Sequence, residues 1–173
     1  MILVKKNSKM LLGGHEMKKT DILLITGVVI VVVIALFATK GTNAQSDIEL
    51  PLTLSGDVGL NKVSYDEYEN HINNDDAILV VIERTGCSWC AKYLPIMEEV
   101  ASTYQIPVLD IDIAELTDLE RTKLNNSNRY LKTQDWGTPT TLLLKGSIVV
   151  DSIGGYVEKE TLVSFIEENI KLS

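Results

Sequence analysis

The chain has 173 residues, room for one domain with an appendage, and a net charge of −8. Residues 1–46 hold six lysines against two acids, Glu16 and Asp21, whereas residues 47–173 carry −12. A domain that acidic repels phosphate backbones, which argues against a nucleic-acid partner, and two cysteines are too few for a structural disulfide framework.

Ile22 to Ala38 is an uncharged run rich in Val and Ile. As a helix it spans roughly 26 Å, near the lower limit for crossing a bilayer. Lys18 and Lys19 precede it and Lys40 alone follows closely. The positive-inside rule then predicts a cytoplasmic N-terminus (1–21), a transmembrane signal anchor (22–39) and an extracytoplasmic remainder. The run exceeds the usual length of a signal-peptide core, so the anchor is expected to stay uncleaved. A cleaved signal peptide is the alternative, with Thr42-Asn43-Ala44 a poor cleavage site. No cysteine ends the run, which excludes a lipoprotein. Leu12-Gly13-Gly14-His15-Glu16 back-translates to a purine-rich bacterial ribosome-binding sequence ahead of Met17. Residues 1–16 are therefore expected to precede the natural start, and Met17-Lys18-Lys19 reads as an ordinary signal-anchor opening.

Residues 40–58 have little periodicity and read as a linker; the domain proper is expected over 59–173. Lys62-Val63 is a candidate edge strand. Ser64-x-x-Glu67 predicts a capping box for a helix to about Ile72, ended by Asn73-Asn74-Asp75-Asp76. Ala77–Ile82 is continuously apolar, as for a strand covered on both faces. Cys87 to Tyr104 predicts a helix with Leu94, Met97 and Val100 at apolar spacing and a kink at Pro95. Ile106–Ile111 is a second buried strand. Leu116 to Leu131 is helical and polar, interrupted around Asn125-Asn126-Ser127-Asn128. Thr140–Leu144 and Ile148–Ile153 flank Lys145-Gly146-Ser147 as a hairpin. Gly154-Gly155 stops it, and Glu158 to Leu172 predicts a closing helix with Leu162, Phe165, Ile166 and Ile170 on one face. The order predicts an α/β fold with a central mixed sheet.

Cys87-Ser88-Trp89-Cys90 sits where the first long strand gives way to a helix, and these are the only two cysteines. Residues three apart on the first helical turn share a face, so the sulfurs can close a disulfide with little backbone movement. The helix N-terminus offers unpaired N–H groups and positive partial charge, which favour a Cys87 thiolate and lower its expected pKa. A structural disulfide and a metal site are the other readings. Two cysteines cannot build a four-thiolate zinc site unless two chains combine; no metal and no cofactor are expected.

Three features together resemble the thioredoxin superfamily over roughly Leu60 to Ser173. They are the Cys-x-x-Cys after a strand, Pro95 eight residues past Cys87, and Gly137-Thr138-Pro139-Thr140 leading into the hairpin. The resemblance implies a thioredoxin-like fold, a cis Pro139 facing the active site, and thiol–disulfide exchange. Within the superfamily it resembles membrane-anchored or secreted thioredoxin-like proteins of Gram-positive bacteria, a group that includes bacteriocin-transport accessory proteins. Two departures stand out. Val81 occupies the position where cytosolic thioredoxin carries a buried Asp, and the middle pair is Ser-Trp rather than Gly-Pro. Glu83 lies two residues along the same strand face; it reads as a partly solvated rim charge, with substitution for the missing Asp as the alternative.

By this resemblance Cys87 is the attacking thiolate and Cys90 resolves the mixed disulfide. Thr138 and Pro139 flank the sulfurs and bind substrate, the Thr138 backbone pairing with an extended substrate strand. Trp89 supplies an apolar contact beside the disulfide or is a plain surface aromatic. Trp136 lines the groove or packs in the core, Lys92 reads as a solvated lysine, and His71 as a surface residue. The expected partners are thiols or disulfides of exported proteins and a separate redox protein in the membrane or outside. Oxidase and reductase directions both remain open. The non-enzymatic alternative is a redox-inactive chaperone or docking module for a secretion or bacteriocin-export system.

Overall fold

The computed structural model describes residues 48–133 and 135–172. The expected anchor at 22–39, the segment 1–21 and the first part of the linker lie outside the described residues. Among the described residues no helix is long and apolar enough to cross a membrane.

The run AILVVIE forms strand β2, Ala77–Glu83, buried along its whole length. Such a strand needs cover on both faces, and it stands in the middle of a five-stranded sheet of order β1-β3-β2-β4-β5. Strands β1 (Gly59–Lys62) and β3 (Pro107–Asp112) run parallel to each other, and β3 runs parallel to β2. The hairpin β4 (Thr140–Lys145) and β5 (Ile148–Gly154) is antiparallel, with β4 paired to β2. The sheet is therefore mixed, as the sequence order predicts.

Side chains alternate across β2. Ala77, Leu79 and Val81 face helices α2 (Ser88–Tyr104) and α5 (Lys159–Asn169), meeting Tyr93, Met97, Val100, Leu162 and Ile166. Ile78, Val80 and Ile82 face the other way, toward Tyr65 and Tyr68 of α1 (Tyr65–Asn73), Leu124 of α3 (Asp118–Asn126) and Leu131 of α4 (Arg129–Thr133). Full burial of each such aliphatic side chain contributes about 1.5–3 kcal/mol.

Local signals set most boundaries. Ser64 and Glu67 close the expected capping box on α1. A second box, Thr117 with Glu120, starts α3 two residues later than the expected Leu116, and the polar stretch breaks into two helices at Ser127 and Asn128. The first strand starts at Gly59 rather than Lys62, drawn into register by its parallel partner Pro107.

Two differences come from pairing across the chain. Helix α5 ends at Asn169 instead of reaching Leu172, because Ile170 joins a parallel bridge with Leu52. Leu52 N–H donates to the Asn169 carbonyl at 2.8 Å and Lys171 N–H to the Leu52 carbonyl at 2.7 Å. Ser55 N–H then donates to the Ala77 carbonyl at 2.8 Å. The described end of the expected linker is thus fastened to the domain, with Leu52 buried among the α5 side chains.

Candidate active site

At the C-terminal end of β2 the chain turns through Arg84-Thr85-Gly86 into Cys87. Cys87 N–H closes the turn on the Arg84 carbonyl at 2.9 Å. Gly86 has φ +86°, a left-handed conformation that suits glycine, and nothing lies within 4 Å of where a Cβ would stand. The turn is held from below: Asp112 accepts from the Thr85 N–H at 3.0 Å, the Thr85 hydroxyl at 2.5 Å and the Ala114 N–H at 2.8 Å.

Cys87, expected as the first residue of the helix, is instead the N-cap of α2, which starts one position later at Ser88, and Cys90 N–H donates to its Sγ at 3.1 Å. The two cysteines form a disulfide with their Cα atoms 5.3 Å apart. Their exposure differs in a way that assigns roles. Cys87 is half-buried and reachable, whereas Cys90 is 1% exposed against the core. A helix N-terminus with a backbone N–H aimed at Sγ stabilises negative charge there when the disulfide opens.

Across from the sulfurs, the Thr138–Pro139 peptide is cis. The Thr138 carbonyl oxygen lies 3.4 Å from Cys87 Sγ. Gly155 N–H donates to the Pro139 carbonyl at 2.8 Å, which ties the end of the hairpin to this loop. That tie carries Tyr156 to the motif. Trp89, 54% exposed, packs on Tyr156 with ring centroids 5.5 Å apart, and Tyr156 meets the edge of Tyr93 at 6.2 Å. Lys92 Nζ sits 4.6 Å from the Trp89 ring centre. Lys92 is thus engaged with the indole rather than simply solvated.

Two hollows meet at Trp89 and Thr138, beside the disulfide. The larger, about 690 Å³, is lined by Arg84, Gly86, Cys87, Trp136, Gly137 and Thr138 among others. The smaller, about 250 Å³, is lined by Trp89, Thr138, Pro139, Gly155 and Tyr156. Trp136 serves both of its expected roles, since it lines the larger hollow, packs beside the α1-facing core and donates its indole N–H to the Leu131 carbonyl at 3.1 Å.

The strand face beneath the turn carries an acidic group. The parallel register sets Val81 beside Asp110 and Glu83 beside Asp112. Glu83 is buried at 7% exposure, which overturns its reading as a partly solvated rim charge. Burial, then the charges of Asp112 and Asp110, push its carboxyl up to about 7. Burial likewise pushes Asp110 up to about 6, against the pull of Lys62, and its buried Oδ1 has no hydrogen-bond partner. Burial works against the Asp112 charge too, but the Thr85 and Ala114 donors outweigh it and hold that carboxyl below its usual range. Val81 itself stands opposite Thr141, whose hydroxyl meets the buried Tyr93 hydroxyl at 2.9 Å. His71, read as a plain surface residue, is half-buried and meets Asp76 at 2.8 Å on the far side of α1.

Sequence reading passed over Arg84, Asp112 and Tyr156. A signal for Tyr156 existed. A hairpin with Thr140 opposite Gly154 necessarily brings the residues after Gly155 toward those before Pro139.

A reactive disulfide at the N-cap of a helix, a cis-proline loop facing it and a mixed sheet of this order define a thioredoxin-like protein. Residues 59–168 match the Thioredoxin family, and the chain belongs to that family. A thioredoxin from Nicotiana alata superposes with a TM-score of 0.52 at 21% identity, over 69% of this chain and 100% of that one. A mutant thioredoxin from Halobacterium salinarum gives 0.52 at 20% identity, over 69% and 97%. A thioredoxin from Aeropyrum pernix gives 0.51 at 17% identity, over 72% and 98%. At these identities the likeness is one of fold. No curated protein matches the sequence. Family membership and the Cys87–Cys90 pair fit a thiol–disulfide oxidoreductase.

Proposed function

We propose that the chain is a membrane-anchored thiol–disulfide oxidoreductase acting on exported proteins outside the cell membrane. The observation that carries the chemistry is Cys87: a reachable sulfur at a helix N-terminus, bonded to a buried partner and facing the Thr138 carbonyl. The apolar run from Ile22 to Ala38 and its preceding lysines support the anchor and the outward orientation.

In the oxidising direction a substrate thiolate attacks Cys87 Sγ. The Cys87–Cys90 bond breaks, Cys90 leaves as a thiolate and takes up a proton, and a mixed disulfide joins substrate to Cys87. A second substrate thiolate then attacks the substrate sulfur of that bond and expels Cys87. The substrate loses two electrons and two protons, and the protein gains both as a dithiol. The reducing direction reverses each step, with Cys87 attacking and Cys90 resolving. Either way a separate redox protein restores the starting state. The substrate strand lies along Thr138, whose carbonyl accepts its N–H, while Trp89 and Pro139 contact the residues beside its cysteine.

The reduction potential of the full chain, equilibrated with glutathione, fixes the direction. A value of about −120 mV makes it a disulfide-forming enzyme and a value of about −270 mV or lower makes it a reductant supplied from the membrane. Cys87→Ser should abolish exchange, whereas Cys90→Ser should accumulate the mixed disulfide. Full biological function in Cys87→Ser would instead establish a redox-inactive docking module. A membrane-impermeant thiol reagent, applied to reduced intact cells, should label Cys87; labelling only after lysis would overturn the location.

A further inference from the structure

We propose that the site selects extended substrate segments by the two side chains flanking the reacting cysteine at alternate positions: an apolar one seated in the hollow walled by Trp89, Pro139 and Tyr156, and an acidic one facing Arg84. This rests on the exchange reading above and adds the substrate class.

The geometry follows from strand periodicity. In an extended segment, residues two apart point to the same side and stand about 7 Å apart. A substrate cysteine directed at Cys87 therefore directs the residues two before and two after it at the same protein surface. The two hollows share Trp89 and Thr138 in their lining; from there the larger continues to Cys87 and Arg84 and the smaller to Pro139 and Tyr156, so each presents a different chemistry.

The smaller hollow is walled by rings. Trp89 is exposed, yet it is held on one side by Tyr156 and capped by Lys92. Tyr156 is itself fixed, with its ring against Tyr93 and its hydroxyl donating to Glu158 at 2.9 Å. The walls thus stand in place before a ligand arrives, so little side-chain ordering opposes binding. At about 250 Å³ the hollow suits one aliphatic side chain.

The larger hollow carries a cation. Residues 47–173 hold ten Lys and Arg against twenty-two acids. Lys62, Arg121, Lys123, Lys145 and Lys159 pair with carboxylates. Of the five cations left without a carboxylate partner among the described residues (Arg84, Lys92, Arg129, Lys132 and Lys171), Arg84 is the one that lines this hollow, and it is exposed. Its neighbour Glu83 points to the opposite side of the strand, into the acidic group with Asp112. An unpaired guanidinium in so acidic a domain complements a carboxylate, which it can grip with two parallel N–H bonds. The missing side chain at Gly86 leaves the approach open.

The test uses the full chain in its disulfide form at low ionic strength, with synthetic peptides holding one cysteine. Peptides Leu-x-Cys-x-Glu and Glu-x-Cys-x-Leu are compared with versions carrying Lys for Glu or Ser for Leu. Each rate is divided by the same protein's rate with dithiothreitol, which has no flanking residues. Dividing the Glu/Lys rate ratio of the unaltered protein by that of Arg84→Glu cancels the effect of flank charge on the peptide's own thiol. In one peptide orientation this quotient should be about fivefold in favour of Glu. The advantage of Leu over Ser should be about threefold and should vanish in Tyr156→Ala. A quotient of one in both orientations, with dithiothreitol still reducing the disulfide, overturns the selection and leaves the exchange reading standing. A disulfide that reacts with neither peptides nor dithiothreitol overturns both.

Discussion

The two ends of the central strands are built for different ends. Where β2 and β3 begin, Ala77, Leu79 and Val108 lie in a closed apolar cluster with Met97, Val100 and Ile166. Where they finish, the same sheet face carries Glu83, Asp110 and Asp112, all buried, below the turn that leads into Cys87. The first end gains stability by removing apolar surface from water. The second accepts costly buried carboxyls next to the reactive disulfide, in line with the tendency of α/β sheets to place sites at the carboxyl ends of their strands. Stability and reactivity are thus separated along one strand about 20 Å long.

The contrast makes unequal predictions for the two ends. Leu79→Ala, deep in the closed end, should cost about 3 kcal/mol. The check is a shift in denaturant midpoint at unchanged slope, with the exchange rate per folded molecule preserved. A loss of rate without a loss of stability would break the separation. Asp112→Ala should cost less globally, about 2 kcal/mol, because it strands three donors. Its local effect is larger: amide exchange at Thr85 should quicken and thiol–disulfide turnover should fall severalfold. Equal protection of the Thr85 amide in the variant would show that the turn stands without Asp112.

Glu83 sharpens the comparison further. Its carboxyl sits at about 7 rather than its ordinary 4.5, so the folded protein holds a proton that the unfolded chain has already released. Stability therefore falls as pH rises from about 4.5 to about 7, and levels off above. Glu83→Gln removes that loss. It should stabilise the protein by about 1 kcal/mol at pH 8 and by almost nothing at pH 4. Thermal unfolding at the two pH values gives the answer; equal shifts at both would contradict a titrating Glu83.

Local chemistry explains what could be read directly from the residues. Ser64 and Glu67 act within one turn, the run Ala77–Ile82 demands cover wherever it goes, and the motif announces itself by following a strand. The second box at Thr117 carries the same signal as the first and was masked by apolar Leu116, which packs in the core without being helical. Other features depend on residues far apart in the chain. Leu52 closes on Ile170, and that contact alone explains why α5 stops three residues short of Leu172. The acidic group requires the β2–β3 register, since nothing in the order of residues says that Glu83 will stand beside Asp112. Cys87 and Cys90 were legible because their chemistry lies within four residues; Arg84 and Tyr156 were not, because their significance comes from the hollow each one lines.

The fastening of Leu52 has a mechanical consequence. A pull on the chain from Ile48 meets the two backbone bonds between Leu52 and the end of α5, and next the bond from Ser55 to Ala77. The Ser55 bond is made to Ala77 at the start of β2, the length of that strand away from the turn that leads into Cys87. Tension on the leading segment therefore meets these bonds at the foot of the fold before it can reach the turn that carries Cys87.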